Sequence, residues 1–100
     1  MAKYHLTKKA VLDLNEIWNY TYEEWSESQA DKYYMLLLDS CQEIAENPNL
    51  GKKYNIVING LLGYKSNEHI LFYQILVNNE IEIIRILHGR MDLKNKLQKS

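Results

Sequence analysis

The chain is short of several things, and each shortage excludes a class of protein. It has one cysteine, Cys41, so no internal disulfide can form, and the chain reads as built for a reducing compartment. Its first residues, Met1 to Lys9, contain no apolar core long enough for a signal peptide. No apolar run approaches the roughly 20 residues of a membrane span. A cytoplasmic protein with no membrane partner is therefore expected. Phosphate-cradling and dinucleotide-type glycine loops, a serine elbow, paired cysteines and a His-Glu-x-x-His helix are all missing. These gaps point to no cofactor and no metal. Repeats, low-complexity segments and linkers are also missing, so residues 1–100 form one domain. A chain of this size buries roughly 60–70% of the surface its unfolded form exposes, which suffices without a staple.

Charge is scarce in sum and uneven in place. The net charge is −1. Lys3, Lys8 and Lys9 make residues 1–12 basic, whereas residues 13–46 carry nine acids against Lys32 alone. Residues 47–84 are balanced, and 85–100 set five bases against Asp92. Such polarity suits an acidic and a basic surface with different partners. Acids that merely line two solvated helix faces would give the same pattern, and both readings stand.

What is present is periodic. Tyr4 to Thr7 reads as a short strand, with Thr7 placed to cap the helix that follows. Val11, Leu14, Trp18, Tyr22 and Trp25 then recur at helical spacing, widened by Ala10 and Ile17. Ser26-Glu-Ser-Gln29 is a capping box that starts a second helix almost at once. Its stripe is Ala30, Tyr34, Leu37, Cys41 and Ile44, and Asn47-Pro48 stops it. So short a joint predicts a helical hairpin. Residues 49–63 look like a loop with a possible brief strand at 54–58, and 64–68 read as a further strand or its end.

The last third is the densest region. His69 to Val77 and Glu80 to His88 flank Asn78-Asn79, which predicts a hairpin with a two-residue turn. Phe72 then faces Arg85, Leu71 faces Ile86 and His69 faces His88. Strict alternation groups Ile70, Phe72, Leu76, Ile81, Ile83 and Leu87 on one face, with Leu71, Tyr73, Ile75, Val77, Ile84 and Ile86 on the other. Both faces are apolar. One is expected under the helices and the other under the loop at 49–63 or another chain.

Arg85, His88, Arg90 and Asp92 close this hairpin with charge. His69 and His88 suit either an acid/base pair or a structural, hydrogen-bonded pair; a metal site would need a third ligand, and none offers itself. Arg85, among isoleucines, suits either an internal ion pair or a clamp for phosphate or carboxylate. Arg90, Lys94, Lys96 and Lys99 suit a phosphate backbone, an acidic peptide or a solvated end. Trp18, Tyr22, Trp25, Tyr33 and Tyr34 lie at helical spacing and most read as core, yet eight tyrosines are heavy for this length, and a helix surface rich in Tyr and Trp is typical of protein contacts.

Leu6-Thr-x-x-Ala-x-x-Asp-Leu-x-x-Ile-Trp18, Trp25-Ser26 with Gln29-Ala30, Asn47-Pro48 before Gly51, His69-Ile-Leu-Phe-Tyr73 and Ile84-Arg-Ile-Leu-His-Gly-Arg-Met-Asp92 together resemble the ParE toxins of the RelE/ParE superfamily of type II toxin–antitoxin systems. The resemblance covers essentially the whole chain. It implies an α+β fold, with an N-terminal helical hairpin on a small antiparallel sheet. It also implies a toxin–antitoxin hetero-oligomer, in which the flexible segment of a cognate antitoxin, usually encoded beside the toxin, folds onto this chain.

ParE-like members are associated with poisoning DNA gyrase, RelE-like members with cutting messenger RNA on the ribosome. Lining up Phe72-Tyr73-Gln74 and Gly89 with the RNA-cleaving type puts its key arginines on Ile70 and Met91, and its late aromatic near Leu97. None of these can supply a base, an acid or a cation. The expectation is a binding-type gyrase inhibitor, with a ribosome-dependent endoribonuclease as the alternative. Target contacts are expected at Arg85, His88 and Arg90, with Lys65, His69 and Asp92 accessory. Antitoxin contacts are expected at Trp18, Tyr22, Trp25, Tyr33 and Tyr34 and on an open sheet face.

Overall fold

Thr7 begins the first helix by two means. Its backbone is still extended, as an N-cap requires, while its carbonyl already accepts from the Val11 amide, and its hydroxyl oxygen accepts from the Ala10 amide at 3.1 Å. In the computed structural model, which describes residues 2–55, 58–90 and Leu97, helix α1 spans Lys8–Glu24 and α2 spans Glu27–Glu46. Ser26 caps α2 by accepting from the Gln29 amide at 3.1 Å. Asn47 ends it, and Pro48–Leu50 forms a single 3₁₀ turn.

Five strands follow the order β1-β5-β4-β3-β2, where β1 is Tyr4–Leu6, β2 Lys52–Lys53, β3 Leu62–Ser66, β4 His69–Ile75 and β5 Ile81–His88. β1 runs parallel to β5; the other pairs are antiparallel. The sheet is thus mixed rather than wholly antiparallel. The whole helical hairpin lies between the first and last strands, which leaves ample chain for a parallel crossover. The possible strand at 54–58 is not formed over its described residues. Instead the Ile58 amide turns back onto the Tyr54 carbonyl.

The β4–β5 turn has three residues, not two. The Leu76 amide bonds the Glu80 carbonyl, the Asn79 amide bonds the Leu76 carbonyl, and of the two asparagines only Asn79 takes positive φ, at 67°. One left-handed residue is easier to supply than the two consecutive ones of the shorter turn. Pairing near the turn is therefore one residue off the expected register. A bulge between Phe72 and Tyr73 restores it: Tyr73 faces Ile83 and Phe72 faces Arg85, leaving Ile84 as the extra residue. The expected pairs Phe72–Arg85, Leu71–Ile86 and His69–His88 all form.

The bulge redraws the faces. Ile81 and Ile83 join Leu71, Tyr73 and Ile86 in the core under the helices, with Ala10, Leu14, Leu37, Cys41 and Ile44. Ile84 packs instead with the second cluster, Leu61, Ile70, Phe72, Leu87 and Leu97, together with Tyr54 and Ile58. That second face is covered by the chain's own loop and Leu97, so the open sheet face expected for a partner is occupied. Burial pushes the Cys41 thiol up to about 12, so it is inert packing.

Helix α2 buries its predicted stripe, but α1 does not. Ala10, Asp13 and Leu14 face the core, while Val11, Tyr22 and Trp25 are exposed. A small face lets α1 lie close to the sheet, and the larger rings are displaced to its flank.

Candidate target-contact site and helical surface

β5 runs past its neighbour. β1 covers it only from Ile81 to Ile83, so the next residues lie at a sheet edge. Two side chains seal that edge. The Thr7 hydroxyl donates to the Ile84 carbonyl at 2.7 Å, and the Asp13 carboxylate accepts from the Ile86 amide at 2.9 Å. Asp13 also receives a two-pronged contact from Arg85, Nε at 2.9 Å and Nη2 at 3.0 Å. The side chains are 15% exposed for Arg85 and 9% for Asp13. The hydrogen bonds to Asp13 raise the Arg85 pKa further and keep the guanidinium charged. Of the two roles open to Arg85, the geometry realises the internal ion pair.

Three rungs along, His69 faces His88 with ring centroids 5.3 Å apart, edge to face. The β3–β4 turn, with Asn67 at φ 56°, sets Glu68 directly beside them. Burial, and then the proximity of His88, lower His69 to about 4, so its ring is neutral near pH 7. A neutral ring lets Nδ1 accept from the Tyr33 hydroxyl, 2.7 Å away. Burial raises the Tyr33 pKa, so that proton stays on oxygen. His88 Nδ1 accepts from the Arg90 amide at 3.1 Å, while the Glu68 carboxylate lies 3.8 Å from Nε2, too far for a hydrogen bond.

Arg85, His69, His88 and Arg90 line one open cleft of about 510 Å³, walled by Asp13, Glu16 and Tyr20 of α1. Lys65 joins His88 and Arg90 around an adjoining depression. The structure thus gathers five of the six residues expected at the target surface, and Asp92 lies outside the described residues. Among the described residues no group of three or more ligating side chains could hold a metal. No helix among them is long and apolar enough to cross a membrane.

The five aromatics divide. Trp18 stacks on Tyr22 at 5.3 Å and donates Nε1–H to Asp31 at 3.0 Å. Trp25 is 75% exposed. Tyr33 turns to His69, and Tyr34 packs against the first core. Sequence reasoning missed Asp13, Glu68 and Tyr20. Asp13 left a signal: an acid on the inner face of α1, in a chain whose last strand carries a lone arginine.

A model of the ParE toxin of type II toxin–antitoxin (parDE) systems matches residues 4–93. The chain belongs to the ParE toxin family. It is 34% identical over 97 residues to Toxin ParE1 of Caulobacter vibrioides, covering 97% of this chain and 99% of that protein. It is 32% identical over 96 residues to Toxin ParE1 of Mycobacterium tuberculosis, covering 96% and 98%. The fold matches a chain of the chromosomal ParDE system from P. aeruginosa, with TM-score 0.76 and 19% identity over 88% of this chain and 96% of that one. It also matches a chain of the toxin–antitoxin complex RelBE2 from Mycobacterium tuberculosis, with TM-score 0.68 and 16% identity over 87% and 96%. Both solved structures share the α+β architecture of helices on a sheet.

Proposed function

We infer that this ParE-family toxin acts by binding, that its target is DNA gyrase, and that a cognate antitoxin neutralises it. One observation carries the preference for binding. Ile70 and Leu97, two of the positions where the RNA-cleaving type is expected to hold its chemistry, are 9% and 1% exposed and belong to the second core. A buried apolar side chain can neither move a proton nor stabilise a phosphate. Target contact then rests on the exposed Arg90 and Lys65 and the partly exposed His88, with His69 behind them and Asp92 following in sequence. Arg85 serves this surface from within, fixing the outer half of β5 to α1. The antitoxin is assigned to the helical aromatics, chiefly Trp18, Tyr22 and Trp25 of the first helix and its end, with the half-buried Tyr33 and Tyr34 of α2.

The test is ATP-dependent supercoiling by purified gyrase, titrated with antitoxin-free protein. Inhibition with trapped cleaved DNA, reversed by antitoxin and weakened by Arg90→Ala, is the expected result. Folded protein without effect would overturn the gyrase reading. A second reading, ribosome-dependent cleavage of messenger RNA, draws on the facing His69 and His88 rings beside Tyr33. Cut messenger RNA in expressing cells would favour it.

A further inference from the structure

The His88 ring is held on one side and open on the other. Its Nδ1 accepts from the Arg90 amide at 3.1 Å. An imidazole that accepts through Nδ1 carries its proton on Nε2, so Nε2–H is a donor. Among the described residues that donor makes no hydrogen bond, and the Glu68 carboxylate stands off at 3.8 Å. Glu68 is the converse: its main chain is fixed and its side chain is loose. Ser66 pairs with His69 across a tight turn, and the Glu68 carbonyl accepts from the Gly89 amide at 3.0 Å. The Glu68 side chain is 71% exposed, and among the described residues its carboxylate makes no hydrogen bond.

Two exposed cations share this place. Lys65, Glu68, His88 and Arg90 line one open depression of about 390 Å³ at the outer end of the sheet. Lys65 pairs with Ile70, whose side chain belongs to the second core, whereas His88 pairs with His69, which meets Tyr33 on the helical side. The donors therefore come from both faces of the sheet. Donors set around an anion from several directions suit a tetrahedral phosphate better than a planar carboxylate. Open rings lie alongside. Tyr20 and Trp25, 65% and 75% exposed, line a second cleft that shares Glu68 and His88 with the first. Cations that neutralise a backbone, next to aromatic faces on which bases stack, are what a single nucleic-acid strand needs.

We propose that Lys65, His88 and Arg90 form a phosphate subsite for a DNA strand held by gyrase, and that Glu68 is its tethered competitor. The assignment to gyrase-held DNA rests on the function proposed above; the phosphate chemistry rests on the donors. His88 Nε2–H and the two cations take the phosphate oxygens once the Glu68 side chain swings out. Swinging out breaks no hydrogen bond, but while the carboxylate stays near it repels the incoming anion. Asp13 and Glu16, in the neighbouring cleft, add to that repulsion. Free nucleic acid is therefore bound weakly, and a strand presented at high local concentration by the target displaces Glu68. The acid thus gives selectivity for the target complex over bulk nucleic acid.

The test follows the fluorescence anisotropy of a short labelled single-stranded DNA, titrated with the antitoxin-free full chain at low salt. Glu68→Gln is expected to tighten binding about threefold to tenfold. Lys65→Gln/Arg90→Gln is expected to weaken it about tenfold and to lower the slope of log affinity against log salt by about 1. Two charge-matched controls, Glu43→Gln on α2 and Lys8→Gln/Lys9→Gln at the start of α1, are exposed and expected to change little. Circular dichroism checks that every variant folds. Unchanged binding in Glu68→Gln would overturn the competitor, and controls that act as strongly as the site variants would overturn the subsite. Binding of an RNA strand without binding of DNA would overturn the assignment to DNA. Inhibited gyrase with no strand bound by wild type or Glu68→Gln would overturn the subsite and give the surface to protein carboxylates. Strand binding in the expected order by a chain that leaves supercoiling untouched would uphold the subsite and overturn the proposed function instead.

Discussion

Two rungs of the same hairpin, three residues apart, put polar side chains to opposite uses. At the Phe72–Arg85 rung the charge is sealed: Asp13 meets Arg85 twice and caps the Ile86 amide, and both side chains are nearly dry. At the His69–His88 rung the polar groups are only partly engaged. His69 is held by Tyr33, but His88 has Glu68 at 3.8 Å and opens onto clefts on either side. A charge with every partner in place serves the fold, and removing one partner leaves the other buried and uncompensated. A polar group with spare valence beside a cleft is available to another molecule. Being an arginine or a histidine at the end of a strand does not decide which role applies; the neighbouring helix does.

The sharpest way to break this contrast is Asp13→Ala. It strands a nearly buried guanidinium and uncaps an edge amide, so a loss of about 3 kcal/mol is expected from urea unfolding. A loss below about 1 kcal/mol would show that Arg85 is not held by Asp13 and would return it to the set of target-contact residues.

Next comes Tyr73→Phe. The Tyr73 hydroxyl donates to the Pro48 carbonyl at 2.7 Å and accepts from the Gly51 amide at 2.9 Å, tying the turn after α2 to the sheet. Its removal should cost about 1–2 kcal/mol and leave growth arrest intact, since Tyr73, Pro48 and Gly51 line none of the clefts around His69 and His88.

The open rung should respond to acid. His69 titrates at about 4 in the folded chain against an ordinary 6.5, so protons favour the unfolded state between those values. The stability it contributes is complete above pH 6.5 and is lost as pH falls through 4. Allowing for solvent screening of a half-buried ring, unfolding at pH 7.5 and pH 4.5 should differ by about 1–2 kcal/mol. The difference should shrink in His69→Gln. Equal shrinkage in His5→Gln, a remote exposed histidine, would place the acid sensitivity elsewhere.

The smallest effect on stability, within about 0.5 kcal/mol, is expected for Arg90→Ala and Lys65→Ala, because both side chains are exposed. Their effect is expected in growth arrest, which should weaken while the melting curve stays put. A melting shift as large as that of Asp13→Ala would erase the contrast between the rungs.

Legibility followed the range of the interaction. Thr7 and Ser26 were readable as caps because a cap needs only residues three apart. The α2 stripe was readable because its small and aliphatic residues fit a close-packed face. The α1 stripe misled: Val11, Trp18, Tyr22 and Trp25 have core-like hydrophobicity, but the shape of the sheet admits Ala10 and Leu14 instead. Of the site, the His69–His88 and Phe72–Arg85 pairs followed from hairpin arithmetic. The partners that give each pair its role, Asp13 and Tyr33, come from helices 72 and 36 residues away along the chain.

By itself, then, the sequence determined the two helices and their caps, the last hairpin and its outer register, the polarity of charge along the chain and the family to which it belongs. These depend on local propensity and periodicity, which a chain carries wherever it is placed. Only the tertiary structure decided which face each isoleucine of β5 occupies, because one bulged residue reverses a two-residue period. It also decided that the second sheet face is covered from within, and that Arg85 is sealed while His88 stays open. Those outcomes depend on what distant segments bring to the same few ångströms, and no spacing along one strand encodes that.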